Sequence, residues 1–300
     1  MSSPKIVYSK NYYVDIGQHV FPTIKYRLIH KKLIEEDGFK ETDFIEPNPA
    51  TDADILLVHT REYLDKLKDG TLTQSEIMTL ELPYSEELVR ASYLCAGGTI
   101  EAARVALREG VGIHVGGGFH HAFHDHGEGF CVLNDIGIGI RKMQELEKIN
   151  KAFVIDCDLH QGNGTAAIFK DDDSVFTFSM HQESNYPFFK PKSSMDLGLR
   201  DRIKDDEYLG HLRKNVPEII SRFKPELIVY VAGADPYKED ILGNLSLSID
   251  GLKKRDRIVF EYAKNYGIPI VSVLAGGYAM DYNDTVKIHY NTVMTGLGRE

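Results

Sequence analysis

The 300-residue chain carries 35 Lys+Arg against 45 Asp+Glu, a formal net charge of −10, with 42% hydrophobic and 27% charged residues. This composition fits a folded globular protein rather than a disordered one, and the acidic balance argues against direct nucleic-acid binding through a basic stripe. Three widely spaced cysteines (Cys95, Cys131, Cys157) form neither a disulfide framework nor a CxxC knuckle; with no apolar signal core at the N-terminus and no membrane-length apolar run, they predict a cytoplasmic protein without a membrane span.

In chain order, Ile6-Val7-Tyr8 reads as a strand, and Asp54–His59 (DILLVH) as a second. Glu86–Glu109 reads as a helix interrupted at Gly97-Gly98. Gly112–Val115 is a strand that runs into Gly116-Gly117-Gly118, and Asp135–Ile149 is a helix with Asn134 as its N-cap. Ala152–Ile155 and Val175–Met180 are strands. Asp206–Phe223 is a helix kinked or broken at Pro217. Then follow a strand at Leu227–Val231, a helix at Leu252–Asn265, a strand at Ile268–Leu274 and a last helix at Asp284–Leu297. This alternation predicts an α/β protein, a three-layer α/β/α arrangement with a mainly parallel sheet. No linker rich in Pro, Gly or Ser divides it, so residues 1–300 read as a single domain.

The ends of the strands carry the polar residues. GIHV runs into GGGFHH (His120, His121), AFVI into DCDLHQGNG (Asp156, Asp158, His160, Asn163), LIVYVA into GAD (Asp235) and PIVSVLA into GGY (Tyr278). In parallel α/β sheets, ligands bind outside the carboxyl ends of the strands. Within D-x-D-x-H, alternate side chains share a face, so Asp156, Asp158 and His160 point one way and Cys157 and Leu159 the other. Two carboxylates on one face repel unless a cation lies between them. With His160 and Asp235 they predict a divalent-metal site with open positions. Read singly, each is a strand-end cap or salt-bridge partner, and for Asp235 alone that reading would be preferred. The His120-His121 pair beside such a site reads as acid/base machinery. HHAFHDH nearly matches the HxHxDH signature of metallo-β-lactamase-like hydrolases but lacks its second His. His114 reads as core, and His124 and His126 as loop residues. Tyr278, otherwise a packed aromatic, can donate a hydrogen bond to a developing oxyanion. Phe130 can wall a channel.

GGGFHH, GEGFC, DCDLHQGNG, GAD and GGY, in this order, resemble the histone deacetylase family of the arginase-like α/β superfamily. The resemblance extends from Ile6 to about Leu297 and is nearest to the class IV branch; the GGDHS and SxDxDxxDP motifs of arginases are absent. It implies metal ligands Asp158, His160 and Asp235 for Zn2+ or Fe2+, and a K+ or other monovalent cation at Asp156, Asp158, His160, Ser179 and the Met180 main chain. It further implies Gly129 and Phe130 as walls of an acyl-lysine channel, and an acyl-lysine protein or peptide as substrate. His121 would be the general base, His120, held by Asp156, would orient water, and Tyr278 would bind the oxyanion. Asn163 stands where many members have Asp, which predicts a more readily neutral His121. Lys25 replaces a class I Arg, Ala275 replaces a Gly, Thr71–Ser85 is distinct in character, and the rim aspartate of classes I and II has no counterpart. Acyl length is therefore open between acetyl and longer fatty acyl. The competing readings are a small-molecule amidohydrolase, such as an acetylpolyamine deacetylase, and a non-catalytic acyl-lysine-binding module.

Overall fold

A run such as Leu227–Val231 can be a strand only where both its faces are covered. The computed structural model, which describes residues 6–299, covers them. In chain order its elements are β1 (Ile6–Val7), α1 (Lys25–Asp37), β2 (Phe44–Ile45), α2 (Asp52–Ile55), α3 (Arg61–Asp69), α4 (Gln74–Leu80), α5 (Glu86–Glu109), β3 (Val111–His114), α6 (Asp135–Glu145), β4 (Ala152–Asp156), α7 (Asn163–Ile168), β5 (Val175–Gln182), β6 (Met195–Leu199), α8 (Asp205–Phe223), β7 (Leu227–Val231), α9 (Ile249–Tyr266), β8 (Ile270–Val273) and α10 (Tyr282–Gly296). The strands form one eight-stranded sheet in the order β2-β1-β3-β8-β7-β4-β5-β6, and every pairing is parallel. Leu227, Val229 and Val231 pack into a core with α5 and α6. Ile228 and Tyr230, one residue out of phase, pack with α8 and α9. The result is the three-layer α/β/α arrangement, with all strand carboxyl ends at one edge.

Three elements depart from the sequence reading. Asp54–His59 is no strand: Asp52–Ile55 is a helical turn followed by turns and a bend. Its capping box decides this, since the Thr51 hydroxyl accepts from the Asp54 N–H at 3.2 Å and the Asp54 carboxylate from the Thr51 N–H at 2.8 Å. α5 runs through Gly97-Gly98 without a break. These glycines serve close approach, because a Cβ at Gly97 would overlap the Asn48 carbonyl oxygen. α8 likewise continues through Pro217. The Arg213 carbonyl, which Pro217 cannot satisfy, accepts the Tyr262 hydroxyl at 3.4 Å.

Two buried histidines outside the candidate site carry a pH dependence. His114 lies 2.9 Å from the Thr99 hydroxyl and 2.8 Å from that of Tyr12, and burial pulls it down to about 3. His59 accepts the Asn134 N–H at 3.0 Å, and burial pulls it down to about 4. The unfolded chain takes up protons near pH 6.5 that these folded sites refuse, so each removes stability as pH falls below that value. The slope is about 1.4 kcal/mol per pH unit for each histidine. We predict that between pH 6.5 and pH 5, with a chelator present, the urea midpoint of His59→Gln falls less steeply than that of the unsubstituted chain, by about one such increment. Parallel profiles in the two proteins would contradict this.

Candidate metal and catalytic site

Past the end of β4 the alternation of side chains persists. Cys157 and Leu159 enter the α8/α9 core, and Asp158 and His160 turn towards Asp235, four residues beyond β7. One ligand atom from each of these three buried residues lies within 4.8 Å of the others. His160 Nδ1 is 3.2 Å from Asp158 Oδ1 and 3.3 Å from Asp235 Oδ2. Main-chain N–H groups orient the carboxylates: Leu159 donates to Asp235 Oδ1, while His160 and Gly276 donate to the two Asp158 oxygens, each at 2.9 Å. A Cβ at Gly276 would fill the space beside Asp235 Oδ2.

The cluster fits a divalent cation on its own chemistry. Asp235 Oδ2 is buried and accepts no hydrogen bond, which leaves a charged lone pair facing the cluster. Without an ion, burial and the Asp158 charge push Asp235 up to about 6. Burial pulls His160 down, but the Asp158 and Asp235 carboxylates outweigh it and raise the imidazole to about 10. Burial and Asp235 push Asp240 up to about 7. An ion bound by Asp158, His160 and Asp235 would replace this strained arrangement of protons.

The turn after β3 brings the histidine pair to the same place. Asp135, buried at the start of α6, accepts N–H bonds from Gly118 at 3.0 and 3.1 Å and from Phe119 at 2.8 Å, fixing the loop. His120 Nδ1 is 2.8 Å from Asp156 Oδ2. Burial lowers His120, but the Asp156 and Asp158 charges raise it to about 9. His121 Nδ1 is 2.7 Å from the Asn163 amide oxygen. Burial, followed by its histidine neighbours, holds His121 well below its ordinary value. Asn163 in turn donates to Glu128 Oε1 at 2.6 Å, and the Tyr186 hydroxyl donates to the same oxygen at 2.7 Å. With its amide nitrogen committed to Glu128, Asn163 must present oxygen to His121, so Nδ1 carries the proton and Nε2 keeps its lone pair.

The carboxylate absent from position 163 is therefore supplied one partner further out. We predict that Asn163→Asp, which sets two carboxylates against each other, lowers kcat/KM at least about tenfold. Adding Glu128→Gln should recover most of the loss, and an unaffected single variant would remove Glu128 from this chain.

Tyr278 enters from beyond β8. Its main chain is not free to flex: its N–H donates to Asp240 at 2.7 Å and its carbonyl accepts from Ile241 at 3.1 Å. Burial, then the Asp235 and Asp158 charges, keep the phenol protonated. Ala275, with φ 56°, holds a left-handed conformation that glycine would adopt freely; its carbonyl accepts from the buried Lys25 ammonium. Burial lowers Lys25 to about 8 against the pull of Asp235 and Asp158. Phe21, His120, His121, Gly129, Phe130, Asp158, His160 and Tyr278 enclose a cavity of about 20 Å3. It opens into a mouth of about 190 Å3 bounded by Glu81, Gly129, Phe130, Asn185, Tyr186, Leu242 and Tyr278. A second cavity of about 30 Å3, lined by Tyr12, Val14, Leu82 and Leu88, lies behind Phe21, Phe119 and Phe130.

Asp156, Asp158, His160, Asn163, Asp235, His120, His121, Tyr278, Gly129 and Phe130 thus meet at one sheet edge. Ser179 lies opposite Asp156 in the β4–β5 ladder, one residue before Met180, and its hydroxyl is 2.9 Å from His181 Nδ1. His114 is core, and His126 sits in the outer loop against Asp125 at 2.7 Å. Sequence reasoning missed Glu128, Asp135, Tyr186 and Asp240. Glu128 lies inside the GEGFC motif and could have been singled out; Tyr186 stands in no motif.

Comparison with known proteins agrees with this geometry. A family model described as Histone deacetylase domain matches residues 19–293. Histone deacetylase 2 of Arabidopsis thaliana is 33% identical over 292 residues, covering 93% of this chain and 75% of that protein. An uncharacterized protein of Picosynechococcus sp. is 39% identical over 285 residues, 95% of each chain. The crystal structure of an HDAC homolog complexed with SAHA matches with a TM-score of 0.84 at 25% identity, covering 100% of this chain and 85% of that one.

Proposed function

This chain belongs to the histone deacetylase family and is a hydrolase of amide bonds; from that premise we propose that it removes acyl groups from lysine Nε in a protein or peptide, with Asp158, His160 and Asp235 as ligands of Zn2+ or Fe2+. The observation that carries the reading is the convergence of Asp158, His160, His120, His121 and Tyr278 on one small buried cavity, with a ligand atom of Asp235 within 4.8 Å of those of Asp158 and His160. When bound, the ion would lower the pKa of water and polarise the acyl carbonyl. The protein's own groups do the rest. His121, neutral with Nε2 free, accepts the proton of the attacking water as oxygen bonds to the acyl carbon. The Tyr278 hydroxyl donates to the carbonyl oxygen as negative charge builds there. His121 then delivers its proton to the lysine nitrogen as the C–N bond breaks, leaving a carboxylate and a free amine. His120, charged against Asp156, orients the water and offsets the developing charge.

Gly129 and Phe130 form one wall of the substrate channel, and Tyr186 stands by the opposite histidines. We assign a structural K+ or similar cation to Asp156, Asp158, His160, Ser179 and Met180, a class IV relationship, a single catalytic domain over residues 1–300 and a cytoplasmic setting. The acyl group is acetyl or a longer fatty acyl chain. One panel tests the proposal and reads the chain length: lysine peptides bearing acetyl to myristoyl groups, and acetylpolyamines, incubated with the metal-loaded enzyme. Cleavage of acyl-lysine peptides is expected. Cleavage of acetylpolyamines alone would transfer the assignment to a small-molecule amidohydrolase, and no cleavage in the panel would leave a binding module.

A further inference from the structure

His126 reads in the sequence as a loop residue, but the structure places it at the outer end of a line of polar groups that stops at His121. Its Nδ1 lies 2.7 Å from Asp125 Oδ1 and its Nε2 3.5 Å from Glu128 Oε2. The other Glu128 oxygen accepts the Asn163 amide at 2.6 Å and the Tyr186 hydroxyl at 2.7 Å, and the Asn163 oxygen lies 2.7 Å from His121 Nδ1. The His126 side chain is 32% exposed and that of Glu128 19%, while Asn163 and His121 are buried. The line therefore runs from water to the buried cavity.

Its members are held in place. The His126 ring stacks on Phe123 with centroids 4.6 Å apart, and the Phe123 N–H donates to the His126 carbonyl at 2.9 Å. Glu128 and Cys131 exchange N–H···O bonds of 3.1 and 2.9 Å, and the Gly129 N–H donates to the Thr79 carbonyl at 3.2 Å. Between His126 and Glu128 the backbone passes so close to Tyr63 that a Cβ at Gly127 would stand 2.7 Å from its hydroxyl oxygen.

His126 borders a surface cavity of about 430 Å3, which it shares with Glu62 and Lys66 of α3 and Glu76 of α4. Lys66 lies 3.1 and 3.0 Å from these two carboxylates, so the three side chains together present one net negative charge. On the loop itself, His124 lies 3.9 Å from Asp125. Around Glu128, Glu81 from the end of α4 adds a like charge, its carboxyl pushed up by burial and by Glu128. Burial would also raise Glu128, but His126, Tyr186 and Asn163 outweigh it and hold its carboxylate below the ordinary value. Glu128 in turn, against burial and together with Asp125, raises His126. A charged His126 thus stands between two carboxylates and closes the line with alternating sign.

Loss of its proton reverses the contact. The short approach to Asp125 keeps hydrogen on Nδ1, so the Nε2 lone pair then faces Glu128 Oε2, two acceptors with no hydrogen between them. Glu128 turns away and releases Asn163. An Asn163 free to turn over can offer its amide nitrogen to His121, which then carries its proton on Nε2 and cannot take one from water. We propose that His126 is a positioning residue of this site, which while protonated holds Glu128, and through it Asn163, in the arrangement that keeps His121 a base. The inference rests on the acyl-lysine hydrolase reading and names a regulation of the same site by pH.

The test compares the zinc-loaded wild type with His126→Phe, which keeps the stack on Phe123 without a charge, and His126→Arg, whose charge does not titrate. At pH 6 the wild type should exceed His126→Phe about three- to tenfold in kcat on an acyl-lysine peptide, with KM within about twofold. By pH 9 the two should differ less than about twofold, whereas His126→Arg should exceed His126→Phe equally at both values. Other groups that titrate in this range are common to all three proteins and cancel in these ratios. A wild-type to His126→Phe ratio that does not change with pH, or a His126→Arg protein no better than His126→Phe, overturns the proposal. The side-chain amide of Asn163, followed by 1H–15N NMR in the same proteins without substrate, gives a readout apart from turnover. Its resonances should move with the titration of the His126 ring in the wild type and stay fixed in His126→Arg; resonances that ignore that titration overturn the proposal. A wild type that cleaves no acyl-lysine peptide sinks the hydrolase reading instead, and the Asn163 resonances then decide the coupling alone.

Discussion

Asp158→Ala is expected to abolish turnover, lowering kcat/KM by at least about 10,000-fold, because Asp158 is a proposed metal ligand and accepts from two N–H groups of the site. The argument for the ion can be separated from activity. A ligand that binds only the folded chain stabilises it by about 2.7 kcal/mol at a free concentration one hundred times its Kd. Thermal unfolding of the wild type should therefore rise by several degrees as Zn2+ is titrated in. Asp158→Ala should stay flat over the same range. Its metal-free form should be less stable than the wild type's, since the buried N–H groups of His160 and Gly276 lose their acceptor, but that difference should not depend on Zn2+. An Asp158→Ala protein whose unfolding still tracked Zn2+ would place the ion elsewhere.

Tyr278→Phe is expected to reduce kcat about 100- to 1,000-fold while KM changes less than about threefold, the pattern of a hydrogen bond that strengthens as charge develops. The substitution is conservative for the fold. The ring remains among Phe21 and Phe130, with centroids 6.4 and 6.0 Å away, and the main-chain bonds to Asp240 and Ile241 need no hydroxyl. Because the phenol is held protonated by burial and by the neighbouring carboxylates, the loss should be uniform from pH 6 to pH 9. A loss confined to high pH would indicate an ionising group instead of a fixed donor. Retained activity within threefold would remove Tyr278 from the reaction.

The parts of this molecule that were legible in the sequence are those where local pattern and tertiary surroundings agree. D-x-D-x-H next to an apolar strand told which side chains gather with Asp235, since the alternation that sends Cys157 and Leu159 into the core leaves Asp158 and His160 no other direction. LIVYV could only be a strand covered on both sides. DILLVH misled because its apolar content outweighed the capping signal just before it, Thr51 with Asp54. Gly97-Gly98 misled in the opposite sense: read as a local breaker, it answers to the backbone at Asn48, half a hundred positions away in the chain. α1 and α3 went unread although signals were present, with Tyr26, Ile29 and Leu33 on one buried face and Thr60 and Gly70 capping α3. β6 alternates partly buried with exposed residues over four positions before the buried Leu199 and offers little to a pattern. Glu128 was in view within its motif, but its importance depends on Asn163, 35 residues further on, and only the folded chain joins them.

The position of β8 has a consequence for biosynthesis. Although it is the last strand to leave the ribosome, it lies between β3 and β7, in the middle of the sheet. Until it is made, the chain can assemble only two separate half-sheets, with the histidine pair on one and the ligand carboxylates on the other. A message truncated before codon 270 would thus yield no weakened enzyme but an inert protein with two open sheet edges, the kind of intermediate that chaperones must hold. Catalysis becomes possible only as the last strand closes the gap, so activity in a nascent-chain preparation should switch on late and in one step.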